Sequence, residues 1–312
     1  MLKVAGIGEI LFDVFPEGKQ LGGAPCNFVF HSKALGLDAY LVSAVGNDEN
    51  GVELCEILQV NGLSLQYIQR APFPTGTVEV SLDKDGTASY LINGNVAWDH
   101  ILWSHSMQNL ASEMDAVCFG SLAQRSIQSS KSIHNFLKHT KKDCLRVFDV
   151  NLRQAFYSRD IIESSLKNAN VLKLNQEELE IIKNIFNLPK SDNESLRIIL
   201  DRYELYFIAL TQGSAGSVMI DPENNYYCPA FPATVKDTVG AGDAFLAAMI
   251  MGKLRGLSLD KVNRLAGKVA AYVCSQSGAT PSLPDSLLSE LKQENMSAQT
   301  IENAHSQKIY PQ

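Results

Sequence analysis

The sequence DTVGAGDAF spans Asp237–Phe245 and opens a helical segment that has almost no polar face. A Gly-Ala-Gly turn at a helix start leaves backbone N–H groups unpaired, which makes an anion site that the helix dipole strengthens. Asp243 falls in the first helical turn, where a carboxylate would repel a bound phosphate. We therefore interpret it as a base for a hydroxyl that attacks phosphorus; helix capping is the structural alternative.

Composition excludes several classes of protein. The 312 residues are 45% hydrophobic and 20% charged, which is typical of a globular protein with one large domain over residues 1–312. A net charge of −7 and an isoelectric point near 5.4 argue against nucleic-acid and anionic-membrane partners.

The cysteines and the N-terminal segment predict a cytoplasmic location. None of the six cysteines forms a C-x-x-C pair, and most lie in apolar runs, which is typical of reduced core thiols. The chain starts directly into a predicted strand without the pattern of a signal peptide, and no apolar run reaches the length of a membrane span.

Short apolar, β-branched segments alternate with segments of helical periodicity. The predicted strands are Leu2–Gly8, Ala39–Ala44, Ala116–Phe119, Arg146–Val150, Val171–Leu174 and Tyr206–Thr211. The predicted helices are Asn27–Leu35, Gly51–Val60, Ser129–His139, Ile161–Asn168, Gln176–Ile185 and Glu194–Arg202. This alternation predicts an α/β fold: an open, doubly wound, mainly parallel sheet with helices on both faces.

Two insertions interrupt the alternation. Segments Gly76–Leu82 and Thr87–Ile92 flank the turn signal Asp83-Lys84-Asp85-Gly86 and predict a hairpin with one polar face. Together with residues near 10–20, the segment 74–97 is expected to form a small β lid, whose exposed apolar face can also pair two copies as a homodimer. Further β structure is predicted at 217–220 and 226–228, and a polar surface helix from Ser286 to Gln312.

Polar residues follow the ends of several predicted strands, where open α/β sheets bind ligands. Asp13 follows the first strand, and the segment Gly22–Asn27 combines paired glycines with an amide at a helix start. The motif Asp149-x-Asn151-x-Arg153 leaves another strand end, and its arginine can clamp a phosphoryl oxygen. A solvated loop aspartate and a capping Asn27 are the structural alternatives.

Two later strand ends carry further candidates. Asn175 and Glu178 share a face of a starting helix and can hold hydrated Mg²⁺, or else form a helix cap. The turn that contains Thr211, Gly213 and Gly216 suits close passage of phosphates or ribose. The sequence has no G-x-x-x-x-G-K-[ST] loop, dinucleotide G-x-G-x-x-G, H-E-x-x-H, paired C-x-x-C or G-x-S-x-G motif.

Taken in order along nearly the whole chain, these segments resemble the ribokinase-like sugar kinases, the phosphofructokinase-B family. The matching elements are Gly22–Gly36, Gly46-x-Asp48-x-x-Gly51, Asp149-x-Asn151-x-Arg153, Asn175-x-x-Glu178, Thr211-x-Gly213-x-x-Gly216 and Asp237–Phe245. One such element matches easily by chance, whereas six in order do not. The bulky run Cys26–Phe30 departs from the small residues usual in that helix, which affects pocket shape rather than class.

The resemblance implies an ATP-dependent kinase with assigned residues. Asp243 is the implied base, and the N–H groups of Gly240, Ala241 and Gly242 form the implied anion hole. The implied sugar ligands are Asp13, Gly23, Asn27, Asn95 and Asn151, and the implied nucleotide residues are Thr211, Gly213, Gly216 and Ala279. Mg²⁺ is implied near Asn175 and Glu178, largely through water. Family members often bind a monovalent cation such as K⁺ beside the Asp237 loop.

The sugar is the least determined feature. The segments Gly22–Asn27, Pro74–Thr77 and Asn95–Asp99 look most like bacterial fructokinases, which implies phosphorylation of fructose at O6. Ribokinases, 2-keto-3-deoxygluconate kinases and nucleoside kinases share the catalytic motifs. A non-catalytic sugar- or partner-binding relative and a nucleotide-binding regulator are the alternatives from other classes. The intact Gly-Ala-Gly-Asp argues against the first, and Asp13 with Arg153 against the second.

Overall fold

A computed structural model describes residues 1–16, 18–82 and 88–289 of the chain. The predicted turn at residues 83–86 lies outside the described residues. Of the polar tail predicted from Ser286 onward, residues 286–289 are helical and the rest lies outside the described residues.

The described residues form a large sheet and a small one. The strands of the large sheet are β1 Lys3–Ile7, β4 Asp38–Gly46, β5 Ile68–Ala71, β8 Ala116–Gly120, β9 Leu145–Asp149, β10 Val171–Asn175, β11 Phe207–Thr211, β12 Ser217–Ile220 and β13 Asn225–Cys228. Their order is β13-β12-β11-β10-β9-β8-β1-β4-β5. From β11 to β5 every neighbouring pair is parallel, while β12 and β13 are antiparallel additions.

The order of the strands places a crevice between β1 and β8. The chain passes from β1 to β4 and β5 on one side, then resumes at β8 on the other side. Open α/β sheets bind ligands outside the carboxyl ends of strands at such a reversal. The ends of β1, β8, β9 and β10 therefore frame the candidate site.

Helices cover both faces of the large sheet. They are α1 Ala24–Ala34, α2 Glu49–Val60, α3 His105–Glu113, α4 Ile127–Lys138, α5 Arg159–Asn168, α6 Gln176–Phe186, α7 Asp192–Arg202, α8 Ala241–Leu254 and α9 Leu259–Cys274. One hydrophobic core lies under α1, α2, α8 and α9, and the other under α3 to α7. Neighbouring strand residues serve different cores, as Val147 and Phe148 of β9 do, because side chains alternate across a sheet.

The small sheet packs strands from two separate chain segments. It contains β2 Leu11–Phe15, β3 Gly18–Gly22, β6 Gly76–Leu82 and β7 Ala88–Ile92, in the order β3-β2-β6-β7. Strands β2 and β6 pair in parallel, and the other two pairs are antiparallel. This sheet matches the predicted lid in position and composition.

The predicted fold class is confirmed, and every predicted strand and helix before residue 286 is present, in most cases with its ends shifted by a few residues. The sequence analysis missed β5 and α3, which are only four and nine residues long. Among the described residues, no helix is long and apolar enough to cross a membrane. All six cysteines are free thiols, as expected.

Candidate active site

The Gly-Ala-Gly turn forms the N-terminus of α8, as the sequence predicted. Gly240 is the N-cap in the left-handed conformation, with φ 76°. A Cβ on Gly240 would lie 2.3 Å from the carbonyl oxygen of Ala279, so the close approach of the Ala279 backbone requires glycine at position 240. The Ala241 N–H donates to the Thr238 carbonyl at 3.3 Å, whereas the Gly242 N–H has no acceptor among the described residues. The turn therefore keeps a donor free for an anion.

Asp243 lies in the first turn of α8 and is held by a residue of α1. Its Oδ2 accepts a hydrogen bond from Nδ2 of Asn27, at 2.8 Å. Burial raises the pKa of Asp243 to about 6, and the negative charge of Asp149 adds to that increase. Lys173, Asn27 and Arg153 oppose it. A carboxyl group with this pKa is ionised at neutral pH and still basic enough to accept a proton.

A buried ion pair lies under the anion-binding turn, and the sequence analysis did not identify its lysine. Nζ of Lys173 on β10 donates to Oδ1 of Asp149 at 2.9 Å. A Cβ on Gly242 would lie 3.1 Å from the same Nζ. Burial lowers the pKa of Lys173, but Asp149, Glu178 and Asp243 outweigh that effect and raise it. A fixed positive charge therefore lies directly beside the turn.

Glu9, which follows β1, is a second carboxyl group that the sequence analysis did not single out. It is 1% exposed, and its Oε2 has no hydrogen-bond partner among the described residues. Burial raises the pKa of Glu9 to about 7, with Asp243 raising it further and Arg153 lowering it. The backbone N–H groups of Glu9 and Ala24 partly offset this increase in the pKa.

The predicted sugar-side residues converge near the small sheet. Burial raises the pKa of Asp13 on β2 to about 6, and the positive charge of Arg153 lowers it. Gly23 is the N-cap of α1, and a Cβ there would lie 2.5 Å from the carbonyl oxygen of Glu9. Arg153 is exposed and its Nη1 donates to the Leu152 carbonyl at 3.0 Å. The positive charge of Arg153 thus lowers the pKa of three carboxyl groups, those of Glu9, Asp13 and Asp243.

Two predicted asparagines occupy left-handed backbone positions. Asn151 has φ 41° after β9, and its carbonyl accepts from Ser121 Oγ at 3.3 Å. Asn95 has φ 53°, is exposed, and bonds His100 at 2.9 Å between Oδ1 and Nε2. Asn151 follows the strand that carries Asp149, whereas Asn95 follows β7 of the small sheet.

The two glycines predicted on the nucleotide side, Gly213 and Gly216, differ in what surrounds them. A Cβ on Gly216 would lie 2.1 Å from the Cys228 carbonyl oxygen, so packing against β13 alone requires glycine there. Gly213 has no atom within 4 Å of a Cβ position and faces open space. Thr211 ends β11, and Ala279 is 5% exposed with its backbone against Gly240.

Asn175 and Glu178 form a helix cap, which was the structural alternative. Asn175 Oδ1 accepts from the Glu178 N–H at 2.9 Å, and Glu178 Oε2 accepts from the Asn175 N–H at 2.8 Å. Glu178 Oε1 also accepts from the Leu152 N–H at 3.0 Å. Burial raises the pKa of Glu178, with Lys173 opposing the increase. Among the described residues, no group of three or more His, Cys, Asp or Glu could hold a metal.

Comparisons with known proteins cover nearly the whole chain. An uncharacterized sugar kinase of Pyrococcus horikoshii is 31% identical over 296 residues, covering 88% of this chain and 91% of that protein. Its crystal structure has a TM-score of 0.79 to this chain, and covers 92% of this chain and 97% of its own. A fructokinase of Escherichia coli is 26% identical over 308 residues, covering 90% and 96% of the two chains.

A fructokinase of Xylella fastidiosa with bound ATP has the same fold, with a TM-score of 0.81 at 20% identity over 94% of this chain and 99% of its own. The family model of the pfkB carbohydrate kinases matches residues 12–286, from the first strand of the small sheet to beyond α9. Because this match covers most of the chain, the chain belongs to the pfkB family of carbohydrate kinases.

Proposed function

We propose that this kinase transfers the γ-phosphoryl group of ATP to O6 of fructose, with Asp243 as the general base. The observation that carries the proposal is the position of Asp243 in the first turn of α8, beside the free Gly242 N–H and held by Asn27 at 2.8 Å. A base and an anion-binding turn side by side suit the attack of a hydroxyl on a phosphoryl group.

The reaction assigns a task to each residue. Asp243 accepts the proton of the sugar hydroxyl as its oxygen bonds to the γ-phosphorus, and the bond from that phosphorus to the bridging oxygen of ADP breaks. The free N–H of Gly242, together with that of Gly240, meets the charge on the phosphoryl group in transit, whereas the Ala241 N–H implied by the resemblance already donates to the Thr238 carbonyl. Lys173 adds a fixed positive charge beside Gly242. Arg153 clamps a phosphoryl oxygen from the open side of the site.

The sugar pocket comprises Asp13, Gly23, Asn27, Asn95 and Asn151 in this proposal, and the nucleotide side comprises Thr211, Gly213, Gly216 and Ala279. Asn27 Oδ1 is buried and has no partner among the described residues, so it is free to accept from a sugar hydroxyl. Gly213 faces open space, which suits close approach of a nucleotide.

The charges of the site favour a neutral sugar. The carboxyl groups of Glu9, Asp13, Asp149 and Asp243 outnumber the cations Arg153 and Lys173 that act on them. A substrate with its own carboxylate or phosphate would meet net repulsion there. This supports fructose over 2-keto-3-deoxygluconate and sugar phosphates, and leaves ribose as the alternative of equal charge.

The metal requirement is proposed from the chemistry of the donors. Every side-chain oxygen of Asn175 and Glu178 already accepts a backbone N–H, so these residues fit a metal only through water. Mg²⁺ retains several waters in such sites, and it would supply neutralisation of the ATP phosphates. We extend the proposal to a monovalent cation such as K⁺ beside the Asp237 loop, and to a cytoplasmic location consistent with the free cysteines.

A sugar panel with coupled detection of ADP tests the function. We expect fructose to give the highest kcat/KM among fructose, ribose, 2-keto-3-deoxygluconate and fructose 6-phosphate, with phosphorus coupling at C6 of the product in NMR spectra. Another sugar exceeding fructose tenfold or more contradicts the proposed substrate, and no ADP release with any of these sugars contradicts the proposed function.

The base is tested by Asp243→Asn. We expect kcat to fall about 10²- to 10⁴-fold because the proton acceptor is lost, while nucleotide binding by calorimetry stays near that of the wild type. Asp160→Asn is the matched control, since Asp160 is also an acid in the first turn of a helix and is exposed. A variant retaining more than about a tenth of the wild-type rate excludes the assigned role.

A further inference from the structure

Helix α1 carries a buried histidine that neither the motifs nor the proposed chemistry uses. His31 is 0% exposed, and its Nε2 lies 2.9 Å from the carbonyl oxygen of Ala279. Because a carbonyl only accepts, Nε2 carries the proton and donates it. Nδ1 is buried without a partner among the described residues, and burial lowers the pKa of His31, so the ring is neutral.

The carbonyl that His31 holds belongs to the loop that packs against the anion-binding turn. The backbone of Ala279 occupies the space beside Gly240, with its oxygen, Cα and carbonyl carbon 2.3, 2.6 and 2.8 Å from a Cβ position there. The same loop is fixed from the other side, where Asp237 Oδ2 accepts from the Gly278 N–H at 3.0 Å. The position of residues 278–279 therefore determines the position of the Gly240 backbone.

His31 and Asn27 are four residues apart and share one face of α1. Asn27 donates to Asp243, and His31 donates to the loop that packs on Gly240. Two successive turns of one rigid helix thus contact the base and the backing of the anion-binding turn. Helices α1 and α8 pack directly on each other, which keeps both contacts in register.

We propose that His31 is a positioning residue that holds Gly240 and its neighbours in the conformation that binds the transferred group, acting through the Ala279 carbonyl. This rests on the proposed role of the α8 turn as the anion hole. His31 itself touches neither substrate. Its neutral ring supplies one directed N–H inside the core, where an apolar residue would leave the carbonyl without a donor.

Substitution of His31 by leucine and by glutamine separates positioning from packing. His31→Leu removes the donor, and we expect kcat to fall about tenfold, the loss of one buried hydrogen bond expressed in the transition state, with KM for fructose within about twofold. His31→Gln places an amide N–H near Nε2, and we expect it to restore kcat to within about threefold of wild type. Asn170→Ala is the stability control, because it loses two buried hydrogen bonds at the opposite edge of the sheet.

Amide hydrogen exchange gives a readout that does not depend on the sugar. We expect faster exchange at residues 240–243 and 276–281 in His31→Leu than in wild type or Asn170→Ala, measured without ligand. If kcat and these amides are unchanged in His31→Leu while its thermal stability falls as in Asn170→Ala, His31 is only a packing residue and the inference is wrong. Absence of fructokinase activity in the wild type would instead overturn the proposed function and leave the exchange result standing.

Discussion

At the scale of single residues, the site concentrates carboxyl groups whose pKa burial raises. The charge of Asp243 adds to the increase in the pKa of Glu9, and that of Asp149 adds to the increase at Asp243, while Arg153 lowers the pKa of both. Neither effect can be read from the sequence, because Glu9 follows an ordinary apolar strand and shows no motif of its own. Such clustering is typical of functional sites, which tolerate unfavourable electrostatics in exchange for reactivity.

Glu9→Gln tests the cost of that burial. The pKa of Glu9 is about 7 in the folded protein against 4.5 in the unfolded chain, so the folded state binds more protons between those values and stability falls as pH rises through them. Glutamine does not ionise and has nearly the same size as glutamate. We therefore expect Glu9→Gln to exceed the wild type in unfolding free energy by up to about 3 kcal/mol at pH 8, and to match it near pH 4.5.

Denaturant unfolding at several pH values measures the difference, with Glu56→Gln as an exposed control on α2. Asp13 and Asp243 titrate in both proteins, so the difference reports Glu9 together with its coupling to Asp243. A stability difference that stays constant between pH 5 and 8 would show that Glu9 is ionised in the fold at its ordinary pKa.

At the scale of elements, the sequence predicted the strands and helices that follow a regular apolar pattern. It did not predict contacts between residues that are far apart in the chain. The apolar strands and the Gly-Ala-Gly helix start were readable because backbone geometry demands those residues. Lys173 lies inside the apolar run of β10, where a lone lysine indicates a buried partner of opposite charge. The sequence analysis missed this indication. His31 gave no signal, because α1 is apolar on most sides and its partner lies far along the chain.

The small sheet is expected to act as a lid that closes on the sugar. In β6 the side chain of Val78 is buried and that of Glu79 is exposed, so one face packs and the other is free. Hydrogen exchange should be fast in β6 and β7 without ligand and slower with fructose, while β10 in the core stays protected throughout. High protection that fructose leaves unchanged would make the small sheet a fixed part of the fold.

At the scale of the whole molecule, we propose that two copies pair through their small sheets. Leu91 of β7 is 57% exposed, an apolar side chain on a sheet that is marginal alone. Sedimentation should give a dimer for the wild type and a monomer for Leu91→Glu. Val60→Glu is the control, because Val60 is 86% exposed at the end of α2 and lies outside the small sheet. A monomeric wild type, or equal assembly of both variants, contradicts the pairing.

The parallel pairing of β2 with β6 affects the order in which the parts of the chain fold. Leu11 meets Gly76 across a chain segment that contains α1, β4, α2 and β5, so the pairing must close a long loop before any ladder bond forms. Closing that loop costs little once the intervening elements are packed, and much before. The small sheet should therefore be the last part to gain amide protection when refolding is followed by pulse labelling. A nascent chain that ends before β6 would contain part of the large sheet but not the complete small sheet that is proposed to cover the sugar.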